Sequence, residues 1–385
     1  MKMKMKHIAV MMLIMMVCSM VWATAADDSI SSDPNTNNGQ KWRIGYYEAG
    51  SYSSYTIVFG NIIKALNKMG WLEGVEDCPF NSDSRTMWKW LAARNTGKYI
   101  QFVDDGFYTF NNNEGMRTET RANLLARLSQ KKDIDLMLAM GTAAGQDLAT
   151  DSHSVPVMVF STTDAVKAKI VQSNEDSGRD HVWAHCEPDR YKRQIELFHD
   201  IFNFKKLGIV YENTPTGRAL AVVDDIEAVA KEQGFEVVAE YFNENIADPD
   251  AYHQALSQAY GKVAEQVDAI YITSRTKLRE DRLPEVVAPI IKKKIPTFSW
   301  TARYVPNGAL MAVSAANFEI IGAFDAEAIA KVLNGAKPRS VNQAFITPPS
   351  ITLNLQVADM IEYAPPFTIL LTADQVYQEI QHNRL

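Results

Sequence analysis

The stretch LMLAMGTAAGQDLA (136–149) decides the fold of the first half of this 385-residue chain. Five apolar residues typical of a buried strand are followed by small residues at 141–144 and then by an amphipathic run typical of a helix. This order predicts a strand, a tight turn and a helix. Small residues at the turn allow close approach to the backbone, either by a ligand or by the chain itself in a turn without a ligand.

The second half of the chain repeats this pattern. Residues 206–238 follow the same strand, loop and helix order as residues 42–71, and VDAIYITSRTKLRE (267–280) matches the opening stretch. Continuous apolar strands that alternate with helices are typical of parallel sheets covered on both faces. The sequence therefore predicts an α/β fold with two doubly wound, Rossmann-like lobes. In such sheets ligands bind beyond the carboxyl ends of the strands.

The N-terminus has the layout of an export signal. Residues 1–25 contain three lysines, an apolar run from Ile8 to Trp22 and a small-residue site that ends at Ala25. This layout predicts a cleaved signal peptide and a periplasmic protein. A retained membrane anchor is the alternative, although the apolar run is shorter than the roughly 20 residues of a bilayer span. Residues 26–40 are polar, and we expect a disordered leader there.

Composition limits the possible partners of the mature chain. Without the three signal-peptide lysines, 36 basic residues remain against 46 acidic ones, a net charge near −10. This balance disfavours nucleic acid and anionic membranes as partners. Cys78 and Cys186 are the cysteines left after cleavage. In an oxidising compartment they form either a disulfide or two separate buried thiols, and both alternatives stay open.

Motifs for catalysis or metal binding are missing from the sequence. It contains no G-x-S-x-G elbow, no H-E-x-x-H helix and no P-loop, so we expect neither an enzyme nor a cofactor. His181 and His185 are four residues apart, but they lie in a predicted strand. That spacing in a strand separates two side chains by about 13 Å, too far to share a metal ion.

Several segments together resemble the ABC transporter substrate-binding protein family typified by tryptophan and tyrosine binders. The similarity extends from about Trp42 to Tyr377, and no single motif is diagnostic. The segments that carry it are IGYYEAGSYSSYTIVFGNIIKAL (44–66), IDLMLAMGTAAGQDLA (134–149), VPVMVFSTTDAV (155–166), LGIVYENTPTG (207–217), VDAIYITSRT (267–276), IPTFSW (295–300) and GALMAVSAANFEIIGAFDAEAIAKVLNG (308–335).

This resemblance implies a type 1 periplasmic binding protein fold, with two lobes joined by a three-strand hinge. Lobe 1 would comprise 41–186 and 316–346, and lobe 2 would comprise 187–315 and 347–385. The implied function is that of a monomeric receptor that closes on a small molecule and delivers it to an ABC permease in the inner membrane. A receptor of the same fold that signals to a membrane sensor kinase or cyclase is the alternative, and an enzyme on this scaffold is a remote third.

The resemblance also implies a ligand site at the strand ends. Threonine hydroxyls would hold a carboxylate, Asp164 or Glu212 an ammonium, and one of Tyr46, Tyr52, Phe160, Tyr211 and Trp300 an apolar side chain. The matching loops carry Ala49, Gly50, Ser51, Tyr52, Thr142, Ala143, Thr162, Thr163 and Asp164 in lobe 1, and Glu212, Asn213, Thr214, Ser274, Arg275, Trp300 and Thr301 in lobe 2.

Structural roles compete with these assignments. Asp164 is equally suited to capping a helix, Arg275 to a solvated loop, and Trp300 to packing inside its lobe, while Tyr46 is expected in the core. Two departures from the family pattern also bear on the ligand. The segment after Trp300 lacks the acidic residue often found there. Residues 76–98 are inserted relative to the family pattern, and they are expected to cover an edge of lobe 1, to shape the cleft mouth or to contact another protein.

Overall fold

The computed structural model describes residues 30–275, 277–315, 318–346 and 349–381, without the side chains of Ser314, Ala315 and Pro349. Among these residues, 30–188 and 318–345 form one compact unit, and 189–315 and 346–381 form a second. The predicted signal peptide at 1–25 lies outside the described residues.

The described helices and strands alternate along most of the chain. The strands are β1 Trp42–Glu48, β2 Ile100–Thr109, β3 Leu136–Met140, β4 Val157–Phe160, β5 Val182–Ala184, β6 Lys206–Tyr211, β7 Glu236–Tyr241, β8 Ala269–Ile272, β9 Thr297–Ser299, β10 Met311–Ala315, β11 Pro349–Asn354 and β12 Ala373–Tyr377. The α-helices are α1 Ser53–Lys68, α2 Ser84–Ala92, α3 Glu114–Gln130, α4 Thr142–Leu148, α5 Arg190–Phe202, α6 Pro215–Leu220, α7 Val223–Gln233, α8 Pro249–Val263, α9 Leu283–Lys292, α10 Phe318–Leu333, α11 Leu355–Met360 and α12 Phe367–Thr372.

The first unit contains a parallel sheet with strand order β2-β1-β3-β4-β5. Successive side chains of a strand point to opposite faces, and both faces of this sheet are buried. In β1, for example, Ile44 and Tyr46 belong to one hydrophobic cluster, and Tyr47 belongs to the other. Burial on both faces explains why these strands are continuous apolar runs in the sequence.

The second unit contains a seven-stranded sheet with strand order β12-β11-β10-β9-β8-β6-β7. Its neighbouring strands are parallel except for β10 and β11, which are antiparallel. One large hydrophobic cluster surrounds this sheet. The first sheet is parallel and the second is parallel except for one strand pair, which confirms the predicted fold class of two Rossmann-like lobes.

Helix starts in both units are fixed by acidic caps. The carboxylate of Asp83 accepts a hydrogen bond of 2.8 Å from the backbone N–H of Thr86 at the start of α2. Asp248 does the same for Ala251 at 2.7 Å, and Pro249 occupies the first turn of α8. These side chains satisfy N–H groups that have no partner within the helix.

The prediction of a disordered leader is wrong for residues 30–40, which pack along the first unit. The indole N–H of Trp71 donates to the carbonyl oxygen of Ser32 at 2.9 Å. The side-chain amide of Asn334 donates to the carbonyl oxygen of Ser31 at 2.7 Å. A polar segment can thus be fixed through its backbone carbonyl groups, a possibility that a search for apolar side chains misses.

The two cysteines are not bonded to each other. Cys78 and Cys186 are both free and buried. Cys78 belongs to the cluster on the Tyr46 face of the first sheet, whereas Cys186 belongs to the cluster on the Tyr47 face. A disulfide requires Cα atoms within about 7 Å, which a sheet between the two thiols prevents. Of the two alternatives, the structure shows separate buried thiols.

Candidate functional site

The carboxyl ends of three strands lie level with one another in the first unit. Glu48 pairs with Met140 across β1 and β3, and Met140 pairs with Phe160 across β3 and β4. The backbone N–H of Gly141 donates to the carbonyl oxygen of Phe160 at 2.8 Å, which extends the register by one residue. The loops that begin at Ala49, Gly141 and Ser161 therefore leave the sheet side by side.

Gly141 is held in a tight turn by the side chain of Tyr55. Its φ angle is +86°, and a Cβ atom at this position would lie 2.0 Å from the Tyr55 hydroxyl oxygen. Tyr55 is half-buried on α1, and its ring centroid lies 5.2 Å from that of the exposed Tyr52. The group that approaches the backbone at Gly141 is therefore a side chain of the same unit.

Thr142 and Ala143 begin α4 and are both half-buried. Asp147 anchors this helix within the unit. Its carboxylate accepts hydrogen bonds from the Tyr47 hydroxyl at 2.8 Å and from the guanidinium of Arg117 at 3.1 Å. Because α4 is anchored through buried groups, the position of Thr142 at the strand edge is fixed.

The remaining candidate residues of the first unit differ in their exposure and in their hydrogen bonds. Ser51 and Thr163 are exposed. Asp164 accepts hydrogen bonds from the backbone N–H groups of Val166 at 3.0 Å and Lys167 at 2.8 Å. One oxygen of its carboxylate therefore caps the following turn, in agreement with the structural alternative.

The aromatic residues proposed for the site differ in how deeply their side chains are buried. Tyr46 and Phe160 are completely buried, and Tyr211 is 4% exposed, so these three side chains belong to the two cores. The expectation that Tyr46 lies in the core is confirmed. Tyr52, in contrast, is 43% exposed.

Glu48 is a group at this edge that the sequence analysis missed. It ends β1, it is 3% exposed, and its Oε2 accepts a hydrogen bond of 2.8 Å from the Tyr46 hydroxyl. Burial raises the pKa of its carboxyl group to about 7. The sequence signal was an acidic residue directly after the apolar run IGYY, where a buried strand ends.

The second unit has a corresponding edge at the ends of β6, β8 and β9. The hydroxyl group of Thr273 donates to the carbonyl oxygen of Val210 at 3.0 Å, and the backbone N–H of Trp300 donates to that of Ile272 at 3.2 Å. These bonds join the three strand ends. The loops that carry Glu212, Ser274 and Trp300 thus lie next to one another within this unit.

Glu212, Asn213 and Thr214 form a short polar loop before α6. Thr214 caps this helix by accepting a hydrogen bond of 3.0 Å from the backbone N–H of Gly217. Its hydroxyl group also donates to the Glu212 carboxylate at 3.2 Å. Asn213 is exposed and Glu212 is half-buried.

Arg275 is buried, which makes the alternative of a solvated loop residue wrong. Only 2% of its side chain is exposed, and the guanidinium contacts the Glu244 carboxylate and the carbonyl oxygen of Val210. It also lies 5.0 Å from the centre of the Phe242 ring. With these partners, Arg275 positions the loop of the half-buried Ser274 from inside the unit.

Trp300 and Thr301 follow β9. Trp300 is half-buried and packs against the core cluster, with its ring 6.4 Å from that of Tyr304. Its indole N–H is buried and has no hydrogen-bond partner among the described residues. Thr301 is 9% exposed, and its carbonyl oxygen accepts a hydrogen bond from Ser299. The packing alternative for Trp300 agrees with these contacts.

The histidines at 181 and 185 have separate partners. A ring nitrogen of His181 lies 2.9 Å from the carbonyl oxygen of Thr150, and one of His185 lies 2.7 Å from the carboxylate of Asp325. Within the described ranges, no three His, Cys, Asp or Glu side chains come together as metal ligands.

The inserted segment at 76–98 covers the core of the first unit. Trp88 of α2 is 1% exposed, and its ring centroid lies 5.3 Å from that of Phe102 and 5.7 Å from that of Tyr46. Trp90 is half-buried beneath Arg94. Among the alternatives for this segment, the buried Trp88 favours the one in which the insertion covers lobe 1.

Comparison with known proteins relates most of this chain to solute receptors. A sequence model of the family described as "ABC transporter substrate binding protein" matches residues 100–377. The tyrosine-binding protein of Clostridioides difficile (strain R20291) is 27% identical over 237 residues, which cover 60% of this chain and 65% of that protein. This chain thus spans slightly less than two thirds of that relative's length.

Two solved structures resemble this chain in fold. The ABC domain from Streptococcus pneumonia in complex with L-Trp has a TM-score of 0.60 at 20% identity, with 86% of this chain and 99% of that chain covered. A ligand-free, open substrate binding protein with adhesive properties from Clostridium difficile has a TM-score of 0.62 at 19% identity, with coverage of 88% and 100%. At these identities the likeness concerns the fold alone.

Proposed function

Because the chain belongs to the ABC transporter substrate-binding protein family, we propose that it is a receptor that binds an amino acid and delivers it to an ABC permease. The observation that carries this proposal is the family match over residues 100–377. An aromatic amino acid is the first candidate, because one relative is named for tyrosine and one structural neighbour contains L-Trp.

The edge of the first unit offers groups suited to such a ligand. The hydroxyl groups of Thr142 and Thr163 are placed to donate hydrogen bonds to a carboxylate. The exposed ring of Tyr52 offers a flat apolar surface to the ligand side chain. Ser51 and Ala143 lie in the same loops and are proposed as further contacts. Asp164 contributes its second carboxylate oxygen to the proposed site.

In the second unit we propose contacts from the loops after β6, β8 and β9. Glu212 and Asn213 retain polar atoms, and Thr214 stabilises their loop. Ser274 is presented on the loop that the buried Arg275 holds in place. Trp300 and Thr301 contribute mainly through packing at the strand end.

We propose that the mature protein acts in the periplasm as a monomer after cleavage of the signal peptide at 1–25. None of the helices in the described part of the chain combines the length and the apolar character needed to cross a bilayer. Its proposed partner is an ABC permease in the inner membrane. We propose no cofactor, nucleic acid or catalytic role.

A ligand screen by thermal unfolding tests this function. The purified mature protein is heated with each of the 20 amino acids, with purines and with small carboxylates. A compound that binds only the folded protein raises the melting temperature by mass action. We expect an increase with one or a few amino acids and none with the purines. No increase with any amino acid would contradict the proposal.

A further inference from the structure

Glu48 is a buried carboxyl group without an ion-pair partner among the described residues, although the nearby Arg85 lowers its pKa. The residue is 3% exposed, and the Tyr46 hydroxyl donates a hydrogen bond of 2.8 Å to its Oε2. Across the described parts of the chain, no Lys or Arg forms an ion pair with it. A buried charge without a partner is unfavourable, and such groups commonly either bind a proton or serve a function.

The surroundings of Glu48 combine aromatic rings with a few polar groups. Tyr46 stacks on Phe107 at 4.9 Å between ring centroids, and Tyr55 of α1 lies close enough for the Glu48 charge to raise its pKa. Burial has the largest effect on the pKa of the Glu48 carboxyl group, and it raises this pKa. The Tyr46 hydroxyl lowers this pKa, as do Ser84 and Arg85 from α2, whereas Asp83 raises it. Because burial outweighs the other effects, the carboxyl group takes up a proton readily.

Because Glu48 ends β1 level with Met140, it lies at the strand edge to which we assign the ligand. Resting on that proposed function, we propose that Glu48 receives the ammonium group of the bound solute as its missing cation. The ammonium group displaces the proton from the carboxyl group, and the rings of Tyr46 and Tyr55 exclude water from the resulting ion pair. The substrate class is thereby restricted to solutes with a free amine.

Tyr55 lies between this carboxyl group and the exposed part of the strand edge in the proposed site. It neighbours both the buried Glu48 and the exposed Tyr52, and its pKa is raised by burial and by the charges of both. The ring is half-buried, so rotation about its side-chain bonds is sterically less restricted than for a core residue. The proposal therefore includes a movement of Tyr55 away from Glu48 when the amine binds.

The inserted segment 76–98 supplies part of the environment of Glu48. Ser84, which lies on α2 within that segment, is 1% exposed and faces both Thr56 at 3.5 Å and the Glu48 carboxyl group. Without α2, the carboxyl group would lose part of its cover and become more strongly hydrated. The insertion thus supports the recognition of an amine by keeping water away from Glu48.

Calorimetric titration of the mature protein tests the proposal. The probes are L-tyrosine and L-tryptophan, with 3-(4-hydroxyphenyl)propanoate and indole-3-propanoate as analogues that lack the amine. The proteins are the wild type, Glu48→Gln and, as a matched control, Glu73→Gln at an exposed position of the same unit. Each titration is repeated at pH 7 in two buffers with different ionisation enthalpies, which reports the protons released on binding.

We expect Glu48→Gln to weaken binding of the amino acids by about 30-fold or more, since a buried ion pair loses one partner. Binding of the analogues should be equally weak in both proteins, and Glu73→Gln should behave as the wild type. With a pKa of about 7, Glu48 is about half protonated at pH 7. The wild type should therefore release about half a proton per ligand, and Glu48→Gln none.

Two results would overturn the inference and leave the receptor function intact. In one, Glu48→Gln binds the amino acids as tightly as the wild type does. In the other, it loses affinity for amino acids and analogues equally, which would mean that Glu48 only maintains the structure. If the wild type binds no amino acid, the proposed function fails and the inference with it.

Discussion

The hydroxyl oxygen of Tyr55 lies where a side chain on Gly141 would have to be, 2.0 Å from the position of a Cβ atom. The tightness of the turn after β3 is therefore explained within the first unit. In the proposed site, a ligand would therefore meet Thr142 and the rings of Tyr52 and Tyr55 before the backbone of Gly141. Substitution of Gly141 therefore tests whether the contact with Tyr55 determines the shape of this turn.

Replacing Gly141 by alanine should destabilise the first unit. The new Cβ atom meets the Tyr55 hydroxyl, and the φ angle of +86° is unfavourable for a residue with a side chain. We expect a loss of roughly 2–4 kcal/mol in the free energy of unfolding, measured by urea denaturation. Gly39→Ala is the control, because Gly39 has a φ of +81° but no atom within 4 Å of its Cβ position. Equal losses in both variants would contradict the role of Tyr55.

Stability should depend on pH through Glu48. Its pKa is about 7 in the folded protein, against 4.5 for an unperturbed glutamate side chain, so the folded state binds the additional proton between these values. The free energy of unfolding should therefore decrease by roughly 3 kcal/mol through this group as the pH rises from about 4.5 past 7. Glu48→Gln should flatten that part of the profile, and Glu73→Gln should not. Parallel profiles for the wild type and Glu48→Gln would show that the carboxyl group does not titrate in this range.

The buried ion pair of Arg275 should contribute strongly to the stability of the second unit. Arg275→Met leaves the Glu244 carboxylate without its cation, and we expect a loss of about 3–5 kcal/mol in chemical denaturation. The matched control is Arg279→Met in the same loop, where the arginine side chain is 64% exposed and pairs with Asp281. An exposed pair contributes less than about 1 kcal/mol. A loss for Arg275→Met as small as that of the control would contradict the assigned role.

The two tryptophans of α2 should differ in their contribution to stability. Trp88→Ala removes a completely packed ring and its hydrogen bond to the carbonyl oxygen of Val103, so we expect a loss of roughly 3–5 kcal/mol. Trp90→Ala removes a half-buried ring that lies 4.1 Å from the Arg94 guanidinium and should have a clearly smaller effect. Unfolding curves of both variants provide the comparison. The reverse order would mean that the insertion does not cover the core.

The fold was predictable from the sequence because its signals are local and repeated. Apolar runs such as 136–140 and 269–272 are buried strands in the structure, and each is preceded by an aspartate. The prediction failed where polar groups make the contacts. Residues 30–40 contain few apolar side chains, and they are held through backbone carbonyl oxygens by Trp71 and Asn334.

The site was predictable only in outline. Strand order placed Thr142 and Ser274 at the carboxyl ends of their sheets, but the orientation of a side chain depends on tertiary contacts. Arg275 turns inward because Glu244 lies 31 residues earlier in the sequence and adjacent in the fold. Glu48 was not predicted as a site residue because its burial depends on α2. This helix lies in a segment that departs from the family pattern.

Direct calorimetric titration with L-tyrosine and L-tryptophan tests the central claim, that this protein is an amino-acid receptor whose site includes the edge at Thr142. The wild type and Thr118→Phe, an exposed control on α3, should bind at least one of the two. Thr142→Phe should lose that binding while its melting temperature stays within about 3 °C, since Thr142 is only half-buried. Full binding by Thr142→Phe, or no binding by the wild type, would contradict the account.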